Sequence, residues 1–424
     1  MDRTRDHLTE THYGAPHVHG PLKLFNPTKR HIPLPASKPD DTSPGSSTPQ
    51  DTSTKPSLHT SSTSRDNRKG RHALGVAESG IYHVWRSRDN RKGRHAIVLT
   101  DGAITSAGVR PTSHPAEISK GILRMLIRCP IWDISYDVAM LFTIGSVVWC
   151  INGFFAWYPL YRPSTLFSGE DVGAGWTAMI GATIFEVGAV MGVLEAVNEN
   201  RTDCFGWALE KAVTEEEARI VARHNGCQHH HGSRRTFLGG RLNERLDRVE
   251  ADGVVDEKGG DGRQKRRFTW CPTWYELRTH YFRELGFLAA FIQLLGATIF
   301  WVPGIVGIPQ ILERLSGAET TGVYWLLQVV GGSGFIISSA MLMLEVQSKW
   351  WKPNLKSLGW HIGFWNWIGG IGFTLCGALG FGASDPSVNY AATLATFIGS
   401  WAFLLGSIIQ WYESLDKYPV VVEK

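Results

Sequence analysis

One carboxylate, Glu186, lies inside a long stretch of the sequence that is almost free of charge. If this stretch crosses a bilayer, a charge near its centre costs about 2.5–3.5 kcal/mol, so we expect Glu186 to face the protein interior. Its expected partners are polar residues of the other apolar stretches, namely Asn152, Gln293, Gln328 and Asn366. Glu186 could be a proton or cation site, or a neutral acid that hydrogen-bonds two helices together, and the second interpretation is favoured.

Three further carboxylates, Glu195, Glu345 and Glu413, recur at the ends of apolar stretches. A carboxylate near a helix C-terminus is mildly unfavourable against the helix dipole, so its presence three times needs a reason. The three could form a ring that binds a cation. They could also be helix ends that meet water and pair with nearby basic side chains, and both interpretations stay open.

A third candidate is the His/Cys-rich segment that contains His224, Cys227 and His229. Imidazole and thiolate ligands suit zinc or copper, but the spacing matches no closed zinc-finger pattern. A solvated polar loop is the favoured interpretation, so we predict no metal and no cofactor. The chain also lacks the common phosphate-binding, nucleophile-elbow and zinc-protease motifs. We therefore assign no catalytic residue and do not favour an enzyme.

These candidates lie on or between six apolar stretches of about 20 residues, the length needed to cross a hydrocarbon core about 30 Å thick. The stretches predict an all-α fold, a polytopic membrane helix bundle with six transmembrane helices arranged as three repeated hairpins. A soluble globular enzyme is excluded as the main interpretation. The stretches lie near residues 139–158, 175–197, 285–307, 322–344, 358–381 and 389–412.

Composition divides the chain into segments around these stretches. The N-terminal region is rich in Ser, Thr, Pro and charge, which predicts a disordered tail. A basic amphipathic run follows it and suits the headgroup layer. The predicted segments are a disordered cytosolic tail (1–117), an interfacial amphipathic elbow (118–137), hairpin 1 (138–197), a partly helical cytosolic loop (198–284), hairpin 2 (285–345), and hairpin 3 with a short cytosolic C-terminus (346–424).

The predicted tail contains an exact duplication, because the ten residues from Ser64 to Ala73 recur from Ser87 to Ala96. A tandem basic motif could contact anionic lipid or a protein partner. It could equally be a recent duplication or an error in the gene model, and that interpretation is favoured.

All six apolar stretches share a pattern of a small residue, an aromatic residue four positions later, and another small residue four positions after that. Residues at this spacing lie along one helix face. In a membrane such a stripe indicates close helix contact, because lipid supplies no hydrophobic driving force between helices. A pathway between the repeats is the alternative. The predicted contact residues are Gly145, Trp149, Gly181, Phe185, Gly296, Phe300, Gly331, Phe335, Gly369, Phe373, Gly399 and Phe403.

Two of these hairpins carry a resemblance to a known module. Gly399-Ser400-Trp-Ala-Phe403-Leu-Leu-Gly406-Ser407 and Gly296-Ala-Thr-Ile-Phe300-Trp301 resemble the YrhK-like domain, a two-helix membrane module. Residues 118–424 also look like an uncharacterised family of fungal multi-pass integral membrane proteins. The residues that carry this resemblance are Pro272-Thr-Trp-Tyr-Glu-Leu-Arg-Thr-His280, Ala297-Thr-Ile-Phe-Trp301 and Leu358-Gly-Trp-His-Ile-Gly-Phe364. Both resemblances imply an architecture, and neither implies an activity or a site residue.

Charge asymmetry predicts the orientation. The short connections 159–174, 308–321 and 382–388 carry few basic residues, whereas the opposite side is rich in Lys and Arg. By the positive-inside rule both termini are cytosolic, in an organelle that the sequence does not identify. The expected partner is the lipid bilayer, with a homo-oligomer left open and no nucleic acid. The leading function is a non-catalytic protein that organises or senses its membrane, and the alternative is a small-solute, proton or cation transporter using Glu186.

The orientation can be tested with single cysteines in a background without native cysteines. An impermeant thiol reagent added to the outside should label a cysteine at Ser384 but not one at Ser357, because the two connections lie on opposite sides. Labelling of both after detergent treatment is the control. Outside labelling at Ser357 in intact membranes would contradict the predicted orientation.

Overall fold

The computed structural model describes residues 29–32, 81–94, 96–100, 110–166, 169–199, 202 and 268–423. Within them, six helices are long and apolar enough to cross a membrane. The predicted fold class is therefore confirmed, and the chain is a multi-pass membrane protein. The labelled helices are α1 (Ser87–Arg91), α2 (Pro115–Ile127), α3 (Ile134–Ala156), α4 (Glu170–Val197), α5 (Trp274–Thr279), α6 (Leu285–Val306), α7 (Leu327–Val346), α8 (Leu358–Gly380) and α9 (Pro386–Leu415).

The spanning helices α3, α4, α6, α7, α8 and α9 form a closed ring in chain order. Each contacts the helix before it and the helix after it, and α9 returns to contact α3. Short helical turns join them, among them Tyr158–Tyr161, Pro309–Leu312 and a π-helical turn at Thr320–Leu326 that leads into α7. Because successive helices alternate in direction, the C-terminal ends of α4, α7 and α9 lie at the same end of the ring. We call this the acidic end, after the glutamates it carries.

The axis of the ring is filled by aromatic rings, one from each spanning helix. Their centroids lie 4.8 to 6.4 Å from their neighbours, mostly in tilted or edge-to-face pairs, the geometry that aromatic quadrupoles favour. All six rings are buried. The six residues, which we call the aromatic hub, are Trp149, Phe185, Phe300, Phe335, Phe373 and Phe403.

Glycines of the same stripe make room for these rings. Within the first hairpin, Gly145 lies against the ring of Phe185 and Gly181 lies against the ring of Trp149. Each helix thus offers a groove to its partner's ring and receives a groove in return. In the other hairpins Gly331 lies against Phe300, Gly369 against Phe403, Gly399 against Phe373 and the backbone of Gly369, and Gly296 against the backbones of Gly331 and Gly334.

A small sheet accompanies the bundle. Its strands are β1 (Lys29–Ile32), β2 (Ile81–Arg86), β3 (Ala96–Thr100) and β4 (Val420–Glu423), in the order β1-β2-β3-β4. The β2 and β3 strands are antiparallel and α1 lies between them, while β3 is parallel to β4 at the end of the chain. Ordered elements therefore occur within the range 1–117 that composition predicted to be a disordered tail. The remainder of that range, up to residue 109, lies outside the described residues.

Exposed apolar side chains precede each hairpin at the acidic end. Helix α2 turns Glu117, Gly121 and Arg124 towards the bundle and exposes its apolar residues, the arrangement expected of a helix that lies in a headgroup layer. Before α6, a capping box of Thr273 and Glu276 starts α5. The exposed residues are Ile118, Ile122, Leu123, Leu126 and Ile127 on α2, Trp274 and Tyr275 on α5, and Trp350, Trp351 and Leu355 before α8. We call these three groups the elbows.

Two glycine substitutions distinguish the effect of helix–helix contact on stability from the effect of helix propensity. A Cβ on Gly331 would lie 2.7 Å from the backbone N of Phe300, whereas one on Gly192 meets nothing within 4 Å. Gly331→Ala should therefore destabilise the protein by about 1–3 kcal/mol through overpacking. Gly192→Ala should stabilise it by about 0.5–1 kcal/mol through helix propensity. Unfolding in mixed micelles measures both, and equal effects would contradict the assigned helix contact.

Candidate functional site

The acidic end brings together the three recurring carboxylates, Glu195, Glu345 and Glu413, which we call the acidic cluster. They lie on α4, α7 and α9, so each hairpin contributes one from its second helix. All three are buried, with at most 4 % of each residue exposed. Burying a carboxylate without a partner is strongly unfavourable, so this arrangement needs cations from elsewhere in the chain.

The cations come from residues 87–94, which we call the basic segment. Arg88 donates from Nη2 to Glu413 Oε2 at 2.5 Å and from Nε to Glu413 Oε1 at 3.4 Å. Arg91 makes two parallel hydrogen bonds to Glu345, Nη1 to Oε1 at 2.6 Å and Nη2 to Oε2 at 2.8 Å. Such bidentate pairs are stronger and more directional than single charged hydrogen bonds.

Lys92 and Arg94, the two remaining cations of the basic segment, complete the neutralisation of the acidic cluster. Lys92 Nζ lies 3.3 Å from Glu195 Oε1, so every carboxylate of the acidic cluster has a cationic partner. Arg94 donates to Glu413 Oε1 at 3.0 Å and to Asp89 Oδ1 at 2.9 Å. The basic segment therefore binds one residue from each hairpin and links all three at the acidic end.

A left-handed glycine shapes the segment. Gly93 has φ +62°, a conformation that costs residues with a Cβ about 1–2 kcal/mol. Gly93 follows the C-terminal end of α1 and reverses the direction of the chain. Because of this reversal, Arg94 contacts the acidic end as Lys92 does. Arg94 Nε also donates to the carbonyl of Asp416 at 2.8 Å, and Lys417 Nζ donates to the carbonyl of Lys92 at 3.0 Å.

The pairing shifts the pKa values of the basic side chains in different directions. Burial alone would lower the pKa of Arg91, but the Glu345 carboxylate, helped by Glu195 and Glu199, raises it above the ordinary arginine value. Burial lowers the pKa of Lys92, and its attraction to Glu195 offsets only part of that effect. Arg91 is thus held firmly charged, whereas Lys92 loses its proton more readily than an ordinary lysine does.

A small cavity of about 40 Å³ lies beneath the basic segment. That is room for a few water molecules, and the polar groups around it can hydrogen-bond them. Asn366, one of the predicted intramembrane polar residues, also lines this cavity, and its buried Oδ1, which lies against Gly406, has no hydrogen-bond partner among the described residues. The polar lining includes Arg88, Arg91, Lys92, Glu195, Gln293 and Asn366.

Glu186 lies elsewhere and does not face the interior. Its neighbour Phe185 takes the inward position in the aromatic hub, and the next residue of a helix points about 100° away. Glu186 is half-buried on the outer side of α4, where its Oε1 accepts a hydrogen bond from Thr298 of α6 at 2.9 Å. Asn152, also predicted as a partner, is buried and instead donates to the carbonyl of Ala174 at 2.7 Å, which links α3 to α4.

A metal-ligand geometry exists beside the basic segment. Glu199, His280 and Glu284 each offer one ligand atom, and these atoms lie within 4.8 Å of one another. His280 Nε2 lies 3.1 Å from Glu284 Oε1, and Asn90 of the basic segment donates to Glu199 at 2.5 Å. These three residues could hold a divalent cation such as Zn²⁺. The predicted weak candidates His224, Cys227 and His229 lie outside the described residues.

Sequence reasoning missed the role of the basic segment. The partners are separated by 103 residues for Lys92 and Glu195, 254 for Arg91 and Glu345, and 325 for Arg88 and Glu413. No local periodicity relates positions so distant. The one signal in the sequence that pointed to this pairing was complementary charge: four cations lie close together in the duplicated motif, and three acids recur at helix ends.

Comparison with known proteins adds no relative, since no protein-family model, curated protein or solved structure matches the chain. The resemblance to YrhK-like hairpins and to fungal membrane proteins stays a prediction from the residues named above.

Removing one partner of a buried ion pair should be costly here. Glu345→Gln leaves Arg91 buried without a counter-charge, and we expect it to lower the free energy of unfolding by about 3–5 kcal/mol. Changing both residues to Met should recover most of that loss, because no lone charge remains. Glu117→Gln is the control: it removes the buried acid of a pair and leaves unpaired only Lys120, which is 42 % exposed and reaches water, so it should cost about 1 kcal/mol or less. Equal losses for Glu345→Gln and Glu117→Gln, measured by chemical unfolding in micelles, would contradict the structural importance of the pair.

Proposed function

We propose that the protein is a non-catalytic multi-pass membrane protein that organises or senses its bilayer. The observation that carries this proposal is the aromatic hub, in which one ring from every spanning helix fills the axis of the helical ring. A closed ring of helices could have enclosed a pathway, but its side chains meet in the middle instead. All six spanning helices thus share close contact at the axis, which suits a rigid body that acts on lipid.

The elbows supply the surface that would do so. Three groups of exposed apolar and aromatic side chains surround the acidic end, one before each hairpin. Trp and Tyr favour the headgroup depth of a membrane, where one end of the ring is apolar and the other is hydrated. Three such anchors on a rigid ring would fix its depth and would order the lipid around it. The charge asymmetry of the connections supports the proposal that this end faces the cytosol.

The basic segment supports a sensing role. Its cations are satisfied by the acidic cluster, yet the same Lys and Arg side chains suit anionic headgroups. A segment that lies at the elbow end of the bundle can therefore be drawn towards either set of anions. Such competition would couple lipid charge to the contacts among the three hairpins.

A transporter using Glu186 is the second candidate. Its support is that Glu186 Oε2 is buried without a hydrogen-bond partner among the described residues, on a helix that spans the membrane. Against it, Glu186 lies between α4 and α6 on the outer side and not on the axis of the ring. We therefore treat it as a hydrogen-bonding acid that holds these two helices together.

Lipid order around the reconstituted protein tests the leading proposal. An environment-sensitive dye in proteoliposomes should report lipid order that rises with protein density. The variant Trp274→Ser, Tyr275→Ser, Trp350→Ser, Trp351→Ser should stay folded and lose most of this effect, because its elbows no longer anchor. Trp176→Ser, which removes an exposed ring near the opposite end, is the control and should change it little. An unchanged effect in the elbow variant would overturn the assignment of lipid contact to these residues.

Proton flux in the same vesicles separates the two candidates. Under the leading proposal, a pH gradient should decay no faster with the protein than without it, and Glu186→Gln should change neither this rate nor stability by much. A flux present in the parent protein and lost in a folded Glu186→Gln variant would instead establish the transporter.

A further inference from the structure

The contacts at the acidic end depend on a short run of sequence that the chain contains twice. Every side-chain contact between the basic segment and the acidic cluster comes from Ser87, Arg88, Arg91, Lys92 and Arg94. The run from Ser64 to Ala73 carries the same residue types in the same order and spacing. Its structure lies outside the described residues, but its chemistry towards the cluster is the same.

The shape of the basic segment is also encoded within the ten residues. The left-handed turn needs a glycine, and the first copy has Gly70 where the second has Gly93. Asp89, which bonds Arg94 within the segment, corresponds to Asp66. The first copy therefore contains the residues that form these internal contacts in the second copy, as well as the cations that the acidic cluster requires.

We propose that residues 64–73 bind the acidic cluster of their own chain in exchange with the basic segment. The cluster has one carboxylate per hairpin, and the basic segment uses all three, so the two copies exclude each other. The first copy lies 23 residues earlier in the chain, and a connection of that length spans up to about 75 Å when extended. The connection is therefore long enough for the first copy to reach the acidic cluster. A tethered ligand has a high effective concentration, which favours the copy from the same chain over one from a second molecule.

The flanking sequences set which copy dominates. The second copy lies between β2 and β3, whose pairing holds it at the bundle end, and β3 also pairs with β4. The first copy is flanked by Thr-Ser-Ser-Thr on one side and Leu74-Gly-Val on the other, which are poorer strand sequences. The basic segment is thus the principal occupant, and residues 64–73 take its place when it is weakened or drawn away.

Three variants of the full-length protein test this exchange. The first carries Arg88→Gln, Arg91→Gln, Lys92→Gln and Arg94→Gln, the second carries Arg65→Gln, Arg68→Gln, Lys69→Gln and Arg71→Gln, and the third carries all eight changes. We expect the melting temperature of the second variant in micelles to match the parent, that of the first to fall slightly, and that of the third to fall much further. A first variant as unstable as the third would overturn the proposal, because it would mean that residues 64–73 cannot replace the basic segment.

Zero-length cross-linking with a carbodiimide identifies the occupant directly. Lys92 and Glu195 are close enough to be joined as an isopeptide in the parent protein. In the first variant the linked lysine should become Lys69, and the different residues after each copy distinguish the two peptides by mass spectrometry. Mixing ¹⁵N-labelled and unlabelled protein shows whether the linked residues share a chain. Failure to form a Lys69–Glu195 link, or links of mixed isotope only, would overturn binding within one chain. Neither outcome bears on the lipid-order measurement, so this inference and the proposed function can fail separately.

Discussion

The meeting of six aromatic rings on one axis is the contact on which the rest of the structure depends. In a bilayer, helices gain nothing from hiding apolar surface from lipid, so they associate only where shapes fit closely. Several of the rings lie directly against a glycine of the neighbouring helix, as Phe185 lies against Gly145 and Trp149 lies against Gly181. This close fit fixes the register of each hairpin, and the closed order of the ring then fixes which helix ends share a level. The acidic cluster is a consequence of that register, because its three members lie at matching distances beyond the hub.

Electrostatic interactions at the acidic end add to the contacts that this packing geometry provides. The carboxylates of the acidic cluster lie near helix C-termini, where the helix dipole disfavours them, and they are removed from water. The basic segment offsets both effects with charged hydrogen bonds to all three hairpins. Since these pairs are buried, dissolved salt screens them little. The segment is therefore held by geometry and desolvation more than by the long-range attraction that governs surface ion pairs.

Much of this architecture could be predicted from sequence, for identifiable physical reasons. Apolar length predicted the six spanning helices, and the spacing of small and aromatic residues selected Trp149 and Phe373, which meet in the hub. The capping box of Thr273 and Glu276 can also be read from sequence, because its two residues are only three positions apart. Glu186 pairs with Thr298 and not with any of the four expected amides, because the cost of a buried charge says that an acid needs a partner but not which one. The pairing of Arg91 with Glu345 was out of reach, since nothing local in the sequence aligns positions 254 residues apart.

The chain order of the ion pairs has a consequence for biosynthesis. The basic segment is translated before any spanning helix, but its partners follow at Glu195, Glu345 and finally Glu413, near the C-terminus. Because domains are generally built from the N-terminus as the chain emerges, the segment must wait for the last hairpin before all its charges are met. A chain that stops after the second hairpin leaves Arg88 without its partner and the ring without α9. The full set of ion pairs therefore forms only after the third hairpin has been made, and a product truncated before α9 carries arginines whose carboxylate partner is missing.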